Sequence, residues 1–135
     1  SQITQAKAQE LNWGFTPLNT KVSVLRQMLA QLASNKVVLA QESELPETLK
    51  NAREQLLFIE KQLKAPKVLP GPTGESNTLY FESRGTLACL RCEDTPFNFW
   101  MMSVISALAA GNTVVAIVDK KYLSEAQAIS SILTL

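Results

Sequence analysis

The sequence predicts an α/β protein in which N-terminal helices lead into a β-rich linker and then a parallel strand–helix–strand unit. Three observations predict it. Leu45, Leu49, Ala52, Leu56, Ile59 and Leu63 recur at spacings of four and three, the signature of one long helix stripe. The run LPGPTGES at 69–76 packs two prolines and two glycines into one break. Residues 84–119 then read as strand, loop, apolar helix, glycine stop and strand. The expected units are a helical segment over 1–66, a turn-rich linker with a strand over 67–83, and a βαβα unit over 84–135.

In chain order, Ile3, Ala6 and Leu11 fit one face of a short first helix, which Asn12-Trp13-Gly14 is expected to break. Thr16-Pro17 marks a second start. Val22, Leu25, Leu29 and Leu32 follow on one stripe, with Ser34-Asn35 as the stop. Val37, Val38 and Leu39 fit either a short strand or more helix. Ser43 is the expected cap of the long helix, with Glu44 and Glu47 favouring its positive end, and Pro66 stops it. The long seam has two readings, a coiled-coil partner surface or a face packed on its own chain. A sustained stripe without a regular flanking charge code favours the second. Residues 78–82 are β-prone, with Tyr80 and Phe81 in the strand.

Residues 86–92 are short, apolar and β-prone, as a buried strand is. Thr95 is the expected cap of the next helix and Pro96 its first turn. Residues 97–110 are apolar nearly all round, so this helix is expected to be heavily buried. Gly111 supplies the left-handed residue that ends it, and 113–119 form a second apolar strand. Two buried strands joined by a crossover helix imply parallel pairing. Ser124-Glu125 opens a last helix, with Ala126, Ile129, Ile132 and Leu133 on its apolar face.

Composition excludes some functions. With 46% hydrophobic and 19% charged residues, the 135-residue chain fits an ordinary globular protein with a real core. Thirteen basic and twelve acidic residues leave a formal charge of +1, which offers no footprint for nucleic acid or an anionic membrane. No apolar run is long enough to span a bilayer, and no secretory pattern opens the chain, so the cytoplasm is the expected compartment. Cys89-Leu-Arg-Cys92 could be a redox dithiol or half a zinc site. Its place inside a strand rather than at a helix start favours one buried thiol and one at the strand end. With no histidine and no second cysteine pair, a four-ligand zinc site of cysteine and histidine cannot be built, so no metal site is expected.

The 84–119 stretch also carries a resemblance. RGTLACL, TPFNFW and ALAAGNTVV are similar to the start of the NAD-binding, Rossmann-like domain of the aldehyde dehydrogenase superfamily. That pattern runs strand, Pro-Trp-Asn turn, then a helix ending in A-L-A-A-G-N-T-V-V. Here the turn is Pro96-Phe97-Asn98, and the helix end runs from Ala107 to Val115. Upstream, LPGPTGESNTLYFESRG resembles the C-terminal part of proline utilization A proteins, the bifunctional enzymes of proline catabolism. In their longer members a degenerate aldehyde-dehydrogenase-like domain follows two catalytic domains.

The resemblance implies a parent that oxidises proline with FAD and then glutamate semialdehyde (1-pyrroline-5-carboxylate) to glutamate with NAD. Asn98 matches the family asparagine that donates its amide to an oxyanion; the other reading is a helix-start asparagine bonding nearby backbone. The family's ribose-holding lysine and glutamate are replaced here by Ile117 and Lys120. Isoleucine leaves ribose hydroxyls unpaired, at about 1–3 kcal/mol per group. Asp119 is a weak substitute acceptor. Cys89 and Cys92 do not match the family nucleophile, which falls beyond the second strand. No catalytic residue, cofactor-binding residue or metal ligand is therefore assigned to this segment, and no cofactor is expected on it. The favoured expectation is a non-catalytic structural or interaction segment that contacts the other domains of its own polypeptide. The alternatives are a fragment of a functional NAD-dependent aldehyde dehydrogenase, or an adaptor that self-associates through the Leu45–Leu63 seam.

Overall fold

The computed structural model describes residues 1–133; the last two residues of the expected 84–135 unit lie outside the described residues. The order is α1 (Gln2–Ala8), α2 (Glu10–Phe15), α3 (Leu18–Leu32), α4 (Lys36–Gln41), α5 (Leu45–Leu63), β1 (Lys67–Leu69), β2 (Asn77–Leu79), β3 (Thr86–Arg91), α6 (Phe97–Ala109), β4 (Thr113–Val118), a 3-10 turn (Lys120–Tyr122) and α7 (Leu123–Leu133). The fold is α/β.

The core is built by three helix stripes. Val22, Leu25, Leu29 and Leu32 of α3 are at most 3% exposed, and Leu45, Leu49, Ala52 and Leu56 of α5 match them. Both stripes meet α6, whose Trp100, Met101, Val104 and Ile105 are buried from the other side. The α5 seam is thus consumed inside its own chain, and the coiled-coil reading does not hold. What α5 leaves outside are Leu57 and Phe58.

Several local expectations are corrected. The first helix breaks at Gln9, and Asn12, Trp13 and Gly14 lie inside α2. The Trp13 indole donates to the Leu108 carbonyl at 2.8 Å, so a tertiary bond holds this segment where local propensity would break it. Val37, Val38 and Leu39 are helical, because the Asn35 side chain caps α4 by accepting from the amides of Val37 and Val38. Ser43 does not cap α5; Glu44 holds that position without a side-chain bond, and Pro46 sits in the first turn. Thr95 does not cap α6 either. Its hydroxyl accepts from the Cys92 amide at 3.1 Å, closing the loop before the helix, and Pro96 holds the cap position.

The linker forms a hairpin rather than one strand. β1 and β2 pair antiparallel, with Val68 opposite Thr78. Tyr80 and Phe81 fall outside β2 and are exposed. The turn residues at 70–76 bring the two short strands together, so pairing ends where the second arm runs past its partner.

β3 and β4 pair in parallel, Thr86 opposite Thr113 through Arg91 opposite Val118, as the crossover pattern predicts. Their burial departs from expectation. Cys89 and Arg91 face α6 and are buried, but Leu90 and Ile117, directly opposite one another, are 56% and 54% exposed. Period-two alternation places them on the other face. The N-terminal segment contacts both strands, and at the amino end of the pair the Thr86 hydroxyl donates to Glu10 at 2.5 Å. No helix among the described residues is long and apolar enough to cross a membrane.

Candidate functional site

In open α/β sheets ligands bind in the crevice outside the carboxyl ends of the strands. Here that end is formed by Arg91, the last residue of β3, and Val118, the last of β4, with the N-terminal turns of α6 and α7 behind them. The Asp119 amide donates to the Arg91 carbonyl at 2.9 Å and extends the pairing by one step.

Arg91 occupies this crevice with its own side chain. It is only 4% exposed, so its charge needs partners. Nη1 donates to Glu125 Oε1 at 2.6 Å, Nη2 to Glu42 Oε1 at 3.0 Å, and Nε to the Thr95 carbonyl at 3.3 Å. The guanidinium lies 3.6 Å from the centre of the Tyr122 ring and 5.4 Å from that of Phe97. The Tyr122 hydroxyl donates to the Glu93 carbonyl at 2.8 Å, which fixes the ring over the arginine. Glu125 is 1% exposed, and its Oε2 has no hydrogen-bonding partner among the described residues. Burial pushes its carboxyl up to about 7; the neighbouring Glu42 adds to the rise and Arg91 opposes it.

Beside this cluster lies an open cleft of about 320 Å³, lined by Glu42, Thr48, Thr95, Asn98 and Tyr122 among others. Asn98 is half-buried in the first turn of α6. Its side-chain oxygen accepts from the Asn51 amide of α5 at 3.4 Å, a contact between helices in place of the local backbone bond read from the sequence.

The remaining residues singled out from the sequence do not converge here. Ile117 projects from the open face of the sheet. Lys120 is exposed in the 3-10 turn. Asp119, the substitute ribose acceptor, caps that turn by accepting from the Lys121 amide at 3.1 Å. Cys89 is buried, and burial raises its thiol away from thiolate formation, while Cys92 is exposed just past β3.

Sequence reasoning missed Arg91, Glu42, Tyr122 and Glu125. Two signals were available: Arg91 interrupts an apolar strand, and Glu125 stands one helical turn before the buried Ile129, on the same stripe.

No protein-family model and no curated protein matches the chain. Solved structures do. A proline utilization A with proline bound in remote sites is similar over 96% of this chain and 15% of its own, at 27% identity and a TM-score of 0.81. A Bradyrhizobium japonicum proline utilization A variant is similar over the same 96% and 15%, at 25% identity and a TM-score of 0.76. A Burkholderia cenocepacia structure titled as an aldehyde dehydrogenase shares the fold over 94% of this chain and 29% of its own, at 21% identity and a TM-score of 0.73. This chain spans 15% of the length of the proline utilization A chains it matches. It is similar to an aldehyde-dehydrogenase-like part of those proteins, as the resemblance in its sequence implied.

Proposed function

From that likeness, we propose that the chain is a non-catalytic structural and interaction segment of a bifunctional proline-catabolic enzyme. The parent would be cytoplasmic, with FAD-dependent proline dehydrogenase and NAD-dependent 1-pyrroline-5-carboxylate dehydrogenase activities elsewhere in its polypeptide. This segment would pack against those domains, with residues 1–66 as its helical support and 84–135 as the sheet unit.

The observation that carries the reading is Arg91. Its side chain and its partners Glu125 and Tyr122 take up the crevice at the carboxyl end of the strands. Away from Arg91, the side chains at the family's ribose-holding positions do not suit a nucleotide. Ile117 cannot donate to a ribose, Lys120 carries the wrong charge to accept from one, and Asp119 is engaged in capping a turn. Asn98 would then be a contact between α5 and α6 and not an oxyanion donor.

Titration calorimetry of NAD into the chain and into an Ile117→Lys variant tests this. The expected result is no saturable heat with either protein. Saturable binding that strengthens in the variant would instead favour a fragment of a working NAD-dependent dehydrogenase. Parentage is tested separately by the polypeptide in which the chain occurs, which must contain a flavin-binding proline dehydrogenase and a complete aldehyde dehydrogenase.

A further inference from the structure

We propose that Glu125 is a proton-operated latch. With its proton on, it donates to the Glu42 carboxylate while accepting from Arg91, and so ties α7, α4 and β3 together. With the proton off, two carboxylates crowd one guanidinium and α7 loosens from the sheet.

Two carboxylates and one guanidinium share a site in which Arg91 and Glu125 are 4% and 1% exposed. One arginine neutralises one carboxylate, so a second buried negative charge is uncompensated. Glu125 uses Oε1 for Arg91 and leaves Oε2 without a partner among the described residues. An unpaired buried oxygen is costly, but a proton on it turns that oxygen into a donor. In the latch its acceptor is the Glu42 carboxylate, which is held on the same guanidinium and raises the Glu125 carboxyl.

Glu42 is the better-solvated partner, with its side chain 16% exposed against 1% for Glu125, so the proton rests on Glu125. The other acids on the same cleft, Glu44, Glu93 and Asp94, are exposed to solvent. From α3, Lys21 is bonded to the Gly14 carbonyl and Arg26 pairs with Glu60. From the 3-10 turn, Lys121 reaches Glu93 at 3.8 Å. Lys36 of α4 is exposed at the far end of that helix, and β4 carries no charged residue.

A buried acid whose carboxyl is raised stabilises the fold fully below the ordinary glutamate range, and that contribution is lost as pH rises through about 7. The test is a carbon-13 NMR titration of the Glu125 carboxyl in the 135-residue chain, with urea unfolding at each pH. The expected midpoint lies near neutrality and moves down in Glu42→Gln. Between pH 5.5 and 8.5 the unfolding constant of the unaltered chain is expected to rise about thirtyfold from this group, while Glu125→Gln stays nearly flat. A Glu125 midpoint in the ordinary carboxylate range overturns the latch, as does an unmoved midpoint in Glu42→Gln. The same slope in Glu125→Gln also overturns it. The titration needs no variant, so it decides the matter even if Glu125→Gln fails to fold.

Discussion

The Asn112 side chain holds the start of β3 to the end of α6: its oxygen accepts from the Arg84 amide at 2.6 Å and from the Gly85 amide at 3.1 Å. Its amide nitrogen donates to the Ala107 carbonyl at 3.1 Å, and the Asn112 backbone amide donates to the same carbonyl at 3.0 Å. With the Gly111 amide on Leu108, this closes a Schellman turn whose leftover carbonyl capacity is taken up by side chains. The two strands are thereby set in register before their ladder begins.

Asn112→Ala is therefore expected to destabilise the chain by about 1–3 kcal/mol, since it strands two part-buried amide donors at once. Asn112→Asp keeps the acceptor and loses only the donor to Ala107, so its loss should be smaller. Urea unfolding of both variants, with the order Ala worse than Asp, checks this.

Gly111 and Gly74 both hold a positive φ, 92° and 93°, in different surroundings. A Cβ at Gly111 would lie 3.1 Å from Lys21 Nζ and 3.3 Å from Ser83 Cβ, whereas at Gly74 nothing lies within 4 Å. Gly74→Ala should cost about 1 kcal/mol from backbone conformation alone. Gly111→Ala should cost about 2–3 kcal/mol, because contact strain adds to it. Equal losses in thermal or urea unfolding would contradict the crowding at Gly111.

Two positions on α5 separate a seam used inside the chain from one kept for a partner. Leu56 is fully buried, and Leu56→Ala should destabilise by about 2–5 kcal/mol. Phe58, two residues on, is 57% exposed, and Phe58→Ala should change stability by about 0.5 kcal/mol or less. Light scattering over a concentration series completes the test. A Leu56→Ala variant that stayed as stable as the parent but lost a dimer would mean the seam serves a second copy.

Arg91→Leu removes the counter-charge of two carboxylates and should cost about 3–5 kcal/mol. Pairing it with Glu125→Leu, which removes the deeply buried acid and leaves only the better-solvated Glu42, should recover part of that loss. A double-mutant cycle by urea unfolding at pH 7 reads the coupling directly; simple additivity would show that Arg91 and Glu125 do not depend on one another.

How much of this was legible depends on how local the cause is. The stripes on α3 and α5, the apolar α6, the glycine that stops it and the parallel pairing of the flanking strands all follow from patterns a few residues long. The missed or misplaced features share a different origin. Val37 to Leu39 looked ambiguous until Asn35 was seen to cap them. Trp13 and Gly14 looked like a break until the indole was seen to find Leu108, 95 positions away. The strands looked buried on both faces, yet Leu90 and Ile117 stand open, because their apolar character does not say which neighbour covers them.

By itself, then, the amino-acid order determined the long helices, the parallel strand–helix–strand unit with its glycine stop, and which large family they resemble, since periodicity, capping glycine and motif are properties of adjacent residues. Only the tertiary structure decided what fills the end of the sheet. Arg91 meets Glu42 from 49 residues before it and Glu125 from 34 residues after it. A charge becomes buried only where the folded chain delivers its partners, and no local pattern encodes that meeting.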